Sequence, residues 1–367
     1  MSSMDFATIL FKDHLRFDPK DPNWLGRDRF VLSAGHESML LYAFLYAIGW
    51  LELADLQKFR RLHSRTPGHP EYGITPGVEC TTGPLGQGCG MSVGMAMAQK
   101  HLAATLGSEL YDYHIWTLMG DGCYQEDITY AAASLAGHLK LNNLIWYYDR
   151  NARQISGEIE RTISDDVGLV YRGLGWKVIE IDGHDHTQIE KAITQAKTNT
   201  KSPTLIVGLT TMAKGSHSME GNHDSHGVPF SKDEQARTKA LLDVPAGESF
   251  YWPDSTSTFF QQNFVKKSAQ VKNWYETKTR LSEKDPTFKT KFKAHYDEAI
   301  DLTHLSKQNW DKDLATRQAF GLVLKSWAQE VPRIFGGSAD LEPSNMTQDF
   351  ADLVKDFQAN YPLGRNV

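Results

Sequence analysis

The stretch LMGDGCYQED, residues 118–127, sets one carboxylate, Asp121, between two glycines at the end of an apolar run. The run itself, HIWTLM (114–119), has two counterparts, NLIWYY (143–148) and PTLIVGL (203–209). Apolar runs this short and nearly unbroken read as strands buried on both faces, as in a parallel sheet. Between the first two lies DITYAAASLAGHLK (127–140), which predicts a helix. Together they form a β-α-β unit, so the two strands run parallel, lie side by side and end on the same sheet edge. WKVIEIDG (176–183) followed by HTQIEKAITQAKTN (186–199) repeats the alternation. From residue 1 to about 235 the expectation is therefore a doubly wound α/β domain with a parallel sheet.

Asp121 follows the first strand, and Asn151, in YYDRNAR (147–153), follows the next. Their side chains are expected to meet at the carboxyl edge of the sheet, where folds of this class bind ligands. A carboxylate and an amide oxygen are hard donors, suited to Mg²⁺ or Ca²⁺ and not to zinc. A main-chain carbonyl from the turn after Asn151, that of Arg153, is the expected third oxygen. One carboxylate neutralises half of a divalent charge, so the site awaits an anion, and a diphosphate fits. Gly120 and Gly122 let the backbone approach that anion closely, next to a helix N-terminus. Taken alone, G-D-G reads as a tight strand-to-helix turn; the Asn at the end of the next strand shifts the balance toward a metal.

A second glycine-rich stretch, TTGPLGQGCGMSVGMAMAQK (81–100), enters a helix of small residues. It lacks the third glycine of a Rossmann fingerprint, Met91 standing there, and the G-K-[ST] of a P-loop, so NAD and ATP lose ground. Close helix packing accounts for part of its composition; a backbone wall against a planar ring accounts for the rest. His36 (LSAGHESML), His69 (TPGHPEYG), and His223 and His226 (EGNHDSHG) all lie in Gly/Pro/Ser turns. No H-E-x-x-H occurs and no thiolates accompany them, so neutral imidazoles that bond phosphate and sugar hydroxyls, or carry protons, fit better than zinc.

The 367 residues predict two to three domains. With 39 basic against 45 acidic side chains and no long single-sign run, neither a nucleic-acid nor a membrane surface is expected. The three cysteines, Cys80, Cys89 and Cys123, are odd in number and form no C-x-x-C pair, which argues for reduced thiols in a cytosol. The N-terminal MSSMDFATILFKDHLRF has helical spacing broken by charges and is no signal peptide, so a cytoplasmic protein is expected. Residues 236–305 are charged and helical, a solvated connection. At ATRQAFGLVLKSWAQEVPRIFGGSADLEPSN (315–345) a helix-then-strand pattern resumes, so 306–367 reads as the start of a second α/β domain, too short to bury a sheet unaided.

These residues resemble transketolase, a thiamine-diphosphate-dependent family. G-D-G with a following Asn is shared by a whole superfamily. The set RDRFVLSAGHESMLLYA, LHSRTPGHPE, GVECTTGPLGQG, HDSHGVPF, ATRQAFG and GGSADLEPSN, in that order, narrows it. The resemblance implies that Asp121, Asn151 and the Arg153 carbonyl hold Mg²⁺ or Ca²⁺ on the cofactor diphosphate. Gly122, His36 and His223 would contact the diphosphate or the thiazolium side, and the backbone of Gly83 to Leu85 the aminopyrimidine. Glu126 would join a carboxylate network between paired sites, and Asp340 would approach the cofactor from the pyrimidine-binding domain. His69 would bond donor hydroxyls, while Arg317 and Ser344 would bind the sugar phosphate. The implied reaction moves a two-carbon ketol unit from a ketose phosphate to an aldose phosphate, in a homodimer or with a partner chain carrying the rest of the enzyme. Rival readings are another thiamine-diphosphate enzyme, such as deoxyxylulose-phosphate synthase, or a cofactor-binding remnant without turnover.

The sequence departs from the family in four places. No Ser-Gly-His-Pro turn precedes the matching region, and no Arg-Glu pair follows GRNV, which leads to the expectation of little ketol transfer by this chain alone. Glu37 stands beside the histidine where a small residue is common, and Asp127 where Gly is common. Glu37 is expected to point outward, away from the diphosphate.

Overall fold

In the computed structural model, which describes residues 1–296, 303 and 313–367, the chain divides into two compact units. The first comprises residues 1–96 and 113–273, the second 97–112 and 274–367. The expected boundary at 235/236 falls inside the first unit, and the one at 305/306 lies outside the described residues.

The first unit is built on a five-stranded sheet, with β1 Arg29–Leu32, β2 Ile115–Gly120, β3 Leu144–Arg150, β6 Lys177–Asp182 and β7 Thr204–Leu209. The strand order is β1-β2-β3-β7-β6 and every pairing is parallel. A separate hairpin, β4 Arg153–Gln154 and β5 Gly157–Glu158, follows β3 directly. The three expected strands are thus β2, β3 and β7. Their apolar runs are continuous because both faces are covered. On β3, Tyr147 stacks on Phe6 at 3.7 Å between ring centroids, under the short helix Met4–Ile9. Its neighbour Trp146 points the other way, donating Nε1–H to Ser92 Oγ at 3.0 Å and packing on Trp176 at 4.7 Å. Side chains that alternate across a strand and find partners on both sides are what a doubly wound sheet requires. β1 was not evident from the sequence as a strand: it has only four residues and pairs with β2 alone, at the sheet edge.

The β2–β3 crossover helix, Asp127–His138, buries Thr129, Ala132, Ala133, Ala136 and Gly137, one stripe of small residues at helical spacing. The stripe is small because neighbouring backbone comes close: a Cβ on Gly137 would lie 1.8 Å from the carbonyl oxygen of Leu174. Trp176 then donates Nε1–H to the Ala133 carbonyl at 2.8 Å and fixes that approach.

In the second unit, Phe350, Val354 and Ala328 form a buried cluster with Leu324 and Ile334 against the helix Thr316–Glu330. Arg365 donates to the carbonyls of Ala328 and Val331 at 2.7 and 2.8 Å, satisfying groups the helix leaves open at its end. The strand expected after this helix is a correction: among the described residues the segment makes only an isolated bridge, Gly336 with Asn366. A strand needs a partner ladder, and a single bridge supplies one rung. No helix among the described residues is long and apolar enough to cross a membrane.

Gly137→Ala is expected to lower stability by at least about 2 kcal/mol, because backbone must move to admit the methyl. Gly94→Ala, in the helix Gln87–Leu106 with open space around it, should instead raise stability by about 0.5–1 kcal/mol. Equilibrium urea unfolding followed by tryptophan fluorescence measures both.

Candidate diphosphate and metal site

The register pairs Gly120 of β2 with Asp149 of β3, so the residues that follow, Asp121 and then Asn151, leave the sheet side by side. The turn after β3 is tight. Ala152 sits in the left-handed region, at φ +57°, a conformation costing a non-glycine residue about 1 kcal/mol. That kink turns the Arg153 N–H back toward the sheet, where it reaches Asn151 Oδ1 at 3.0 Å and Asp121 Oδ2 at 3.3 Å. Two oxygen-bearing side chains from neighbouring strands therefore converge on one point.

Each is oriented by a further partner. The Tyr148 hydroxyl donates to Asp121 Oδ1. Asn151 donates Nδ2–H to Asp149 Oδ2 at 3.1 Å, which commits its other amide atom, the oxygen, to the Arg153 side. Asp149 is fully buried and also accepts from Thr210 Oγ1 and Ser2 Oγ, both at 2.6 Å. It is a supporting residue that the sequence reading missed; an Asp closing the apolar run LIWYY is the signal that marks it.

Electrostatically, no Lys or Arg side chain among the described residues pairs with Asp121. Burial pushes its carboxyl up to about 6; the nearby Asp149 carboxylate adds to this, while the Tyr148 hydroxyl and the N–H groups of Arg153 and Ala152 oppose it. A divalent cation fits this vacancy in charge: hard oxygens, one buried carboxylate, one amide oxygen held in place. Among the described residues no three His, Cys, Asp or Glu side chains converge to hold a metal ion. A donor set of one carboxylate, one amide and a carbonyl is of another kind.

Around these residues lies a cavity of about 390 Å³. Asp121, Gly122, Asn151, Arg153, His36 and Leu85 all line it. Leu85 packs on Gly122, where a Cβ would come within 2.7 Å of its Cδ1. Ile155, Met212 and Phe230 extend the apolar side of the wall. Gly83 does not line the cavity but backs on the exposed His69, and Gly35 abuts the Gly83 amide, where a Cβ would approach to 2.7 Å. Glu126 is exposed just before the crossover helix, with Gly86 against its Cβ.

Of the two histidines in EGNHDSHG, His226 lines the cavity and His223 does not. The His226 ring stacks on His36 at 5.3 Å, while the His223 side chain is 45% exposed beside Asp224. Burial, with the imidazoles of His226 and His69 nearby, pushes His36 down to about 4, so it is neutral near pH 7. Burial lowers His226 as well. Arg317, Asp340 and Ser344 are exposed residues of the second unit; Arg317 stands at a hollow lined also by Phe320, Phe335 and Phe350.

Glu37 is a second correction. It lines the cavity instead of pointing outward, and accepts from Ser3 Oγ at 3.2 Å. The short 3₁₀ turn Gly35–Glu37 buries Gly35 against Thr82 and Gly83, and so leaves both following side chains on the cavity side. Burial, then the Asp149 carboxylate, pushes Glu37 up to about 7.

The family described as "Transketolase, thiamine diphosphate binding domain" matches residues 1–300. The chain belongs to the transketolase family. The transketolase of Halalkalibacterium halodurans is 39% identical, the match covering 100% of this chain and 56% of that protein. Transketolase 1 of Escherichia coli is also 39% identical, over 95% of this chain and 54% of its own length. Among solved structures, the Leishmania mexicana transketolase superimposes with a TM-score of 0.93 at 36% identity, covering 98% of this chain and 55% of that one. The chain spans about half the length of the curated transketolases it matches.

Because Glu37 titrates higher in the native protein than in the unfolded chain, the native state holds the extra proton. Stability therefore falls as pH rises from about 4.5 through about 7. Glu37→Gln removes this cost. The variant should be more stable than the parent by on the order of 1–2 kcal/mol near pH 8, with the gain vanishing near pH 4.5. Thermal or urea unfolding across that range measures it, and a gain largest at acid pH would contradict it.

Proposed function

We propose that this chain binds thiamine diphosphate through a divalent cation, Mg²⁺ or Ca²⁺, held by Asp121, Asn151 and the main-chain carbonyl of Arg153. The observation that carries this reading is the convergence of Asp121 Oδ2 and Asn151 Oδ1 on the Arg153 turn, with the carboxylate buried and short of positive charge. Membership of a thiamine diphosphate-binding family supports it.

When bound, thiamine diphosphate supplies an electron sink for cleaving the carbon–carbon bond beside a carbonyl. The residues of this chain have the complementary tasks. Asp121 and Asn151 fix the cation, with Asp149 and Tyr148 orienting them. Gly122 and Leu85 leave room for the cofactor and close it off from water, with Gly83 behind them. His36, neutral near pH 7, and His226 beside it offer imidazole nitrogens to phosphate or sugar hydroxyls; His226 takes this part more readily than His223 because it faces the cavity. His69 serves donor hydroxyls, and Glu126 a carboxylate network between paired sites. Arg317 and Ser344 are assigned to a sugar phosphate, an Arg fork being suited to that group, and Asp340 to the cofactor.

The reaction assigned is transfer of a two-carbon ketol unit from a ketose phosphate to an aldose phosphate. Turnover requires the other half of the relatives' length, on the same polypeptide or on a partner, and a dimer is the assembly assigned. The three free cysteines are consistent with a cytoplasmic setting.

Titration calorimetry of the 367-residue chain with thiamine diphosphate tests the reading. Binding is expected with Mg²⁺ and should be weakened at least ~10-fold by EDTA or by Asp121→Asn, which keeps the side-chain shape and removes the charge. Equal affinity in all three cases would overturn it.

A further inference from the structure

The main chain of Arg153 belongs to the cation turn, but its side chain has a separate position on the wall of the same cavity. Nε–H donates to the Gly221 carbonyl at 2.8 Å and Nη1 to the Ala152 carbonyl at 3.1 Å. The guanidinium is thereby held in one orientation by two neutral acceptors. The one carboxylate paired with it, Glu158, lies 3.6 Å from Nη1 and is 66% exposed, so solvent screens that pair. Nη2 has no partner among the described residues.

The charge of the cavity gives this arm a meaning. A diphosphate ester carries roughly three negative charges near neutral pH. A divalent cation on Asp121 leaves a net charge of about one to set against them, and Glu37 adds a further carboxyl to the wall. His36 and His226 are held toward their neutral forms by burial. Beside the Met1 α-ammonium, whose charge already acts on Glu37, Arg153 is the one cationic group among the lining residues described.

We infer that the Arg153 guanidinium is a second anion-holding group of this cavity, contacting the diphosphate directly alongside the cation. This rests on the cofactor reading above and adds to it: diphosphate affinity has a component that survives removal of the metal. A guanidinium clamped by two carbonyls is already oriented, so little freedom is lost when it takes an oxyanion. The same clamp ties the cation turn to Gly221, at the start of the loop that carries His226.

Inorganic pyrophosphate is the probe, titrated into the full chain with Mg²⁺ and with EDTA at low salt. The parent should bind in both, more weakly in EDTA. Arg153→Met, which keeps the main-chain carbonyl and N–H, should bind at least ~10-fold more weakly in both, and Arg153→Lys should fall between. If Arg153→Met fails to fold, Arg153→Gln, whose side-chain amide can still donate a hydrogen bond on the cavity wall but carries no charge, carries the test and should likewise bind at least ~10-fold more weakly in both. Unchanged affinity in Arg153→Met, or in Arg153→Gln where that variant decides, overturns the inference. If Asp121→Asn weakens pyrophosphate while Arg153→Met does not, only this inference fails. If Arg153→Met weakens pyrophosphate while Asp121→Asn does not, only the cation reading fails; if neither does, both fail.

Discussion

A buried carboxylate that no Lys or Arg among the described residues pairs with is the constraint around which this half of the molecule is organised. Asp121 is 3% exposed at the end of a parallel strand, where its charge is costly unless something answers it. A tyrosine hydroxyl and backbone N–H groups answer in part, and the carboxyl still stands near 6. An apolar residue at this position would remove the cost altogether, so the charge has a use beyond stability. On the reading proposed above, that use is to hold a divalent ion which in turn holds an anion.

The parallel sheet makes the arrangement possible. Because β2 and β3 are neighbours pointing the same way, consecutive crossovers deliver their loops to one edge, and the register sets Gly120 beside Asp149. From there the local chemistry is short-ranged. Asp149, held by Thr210 and Ser2, turns the Asn151 amide; the left-handed Ala152 turns the Arg153 N–H. A rigid sheet below and a strained turn above hold donors to a precision that a free loop does not reach.

How much of this was legible in the sequence depended on the range of the interaction that decides each element. The strands β2, β3 and β7 and the helix Asp127–His138 were legible because burial on both faces, or on one stripe, writes itself directly into apolar spacing. Asp121 and Asn151 were legible because topology alone places them. β1 was not: four residues at a sheet edge carry little periodicity. The strand expected after Glu330 required a ladder partner, a non-local fact, and the segment makes a single bridge. His223 and His226 sit in one loop, where no period says which faces inward; the stacking of His226 on His36 settles their placement. Glu37 was expected outside because a carboxylate avoids a diphosphate, yet the packing of Gly35 against Gly83 turns it toward the cavity. Burial there, with the Asp149 carboxylate, pushes its carboxyl up to about 7 and favours the neutral form.

The most direct measurement is a crystal structure of the chain grown with Mn²⁺ and pyrophosphate, with the ion located by its anomalous scattering. The account predicts one peak at the carboxyl edge of β2 and β3, within about 2.0–2.6 Å of Asp121 Oδ2, Asn151 Oδ1 and the Arg153 carbonyl oxygen, with pyrophosphate completing its coordination. A peak elsewhere, or pyrophosphate in the cavity with Asp121 and Asn151 still bonded only to the Arg153 N–H, would contradict it.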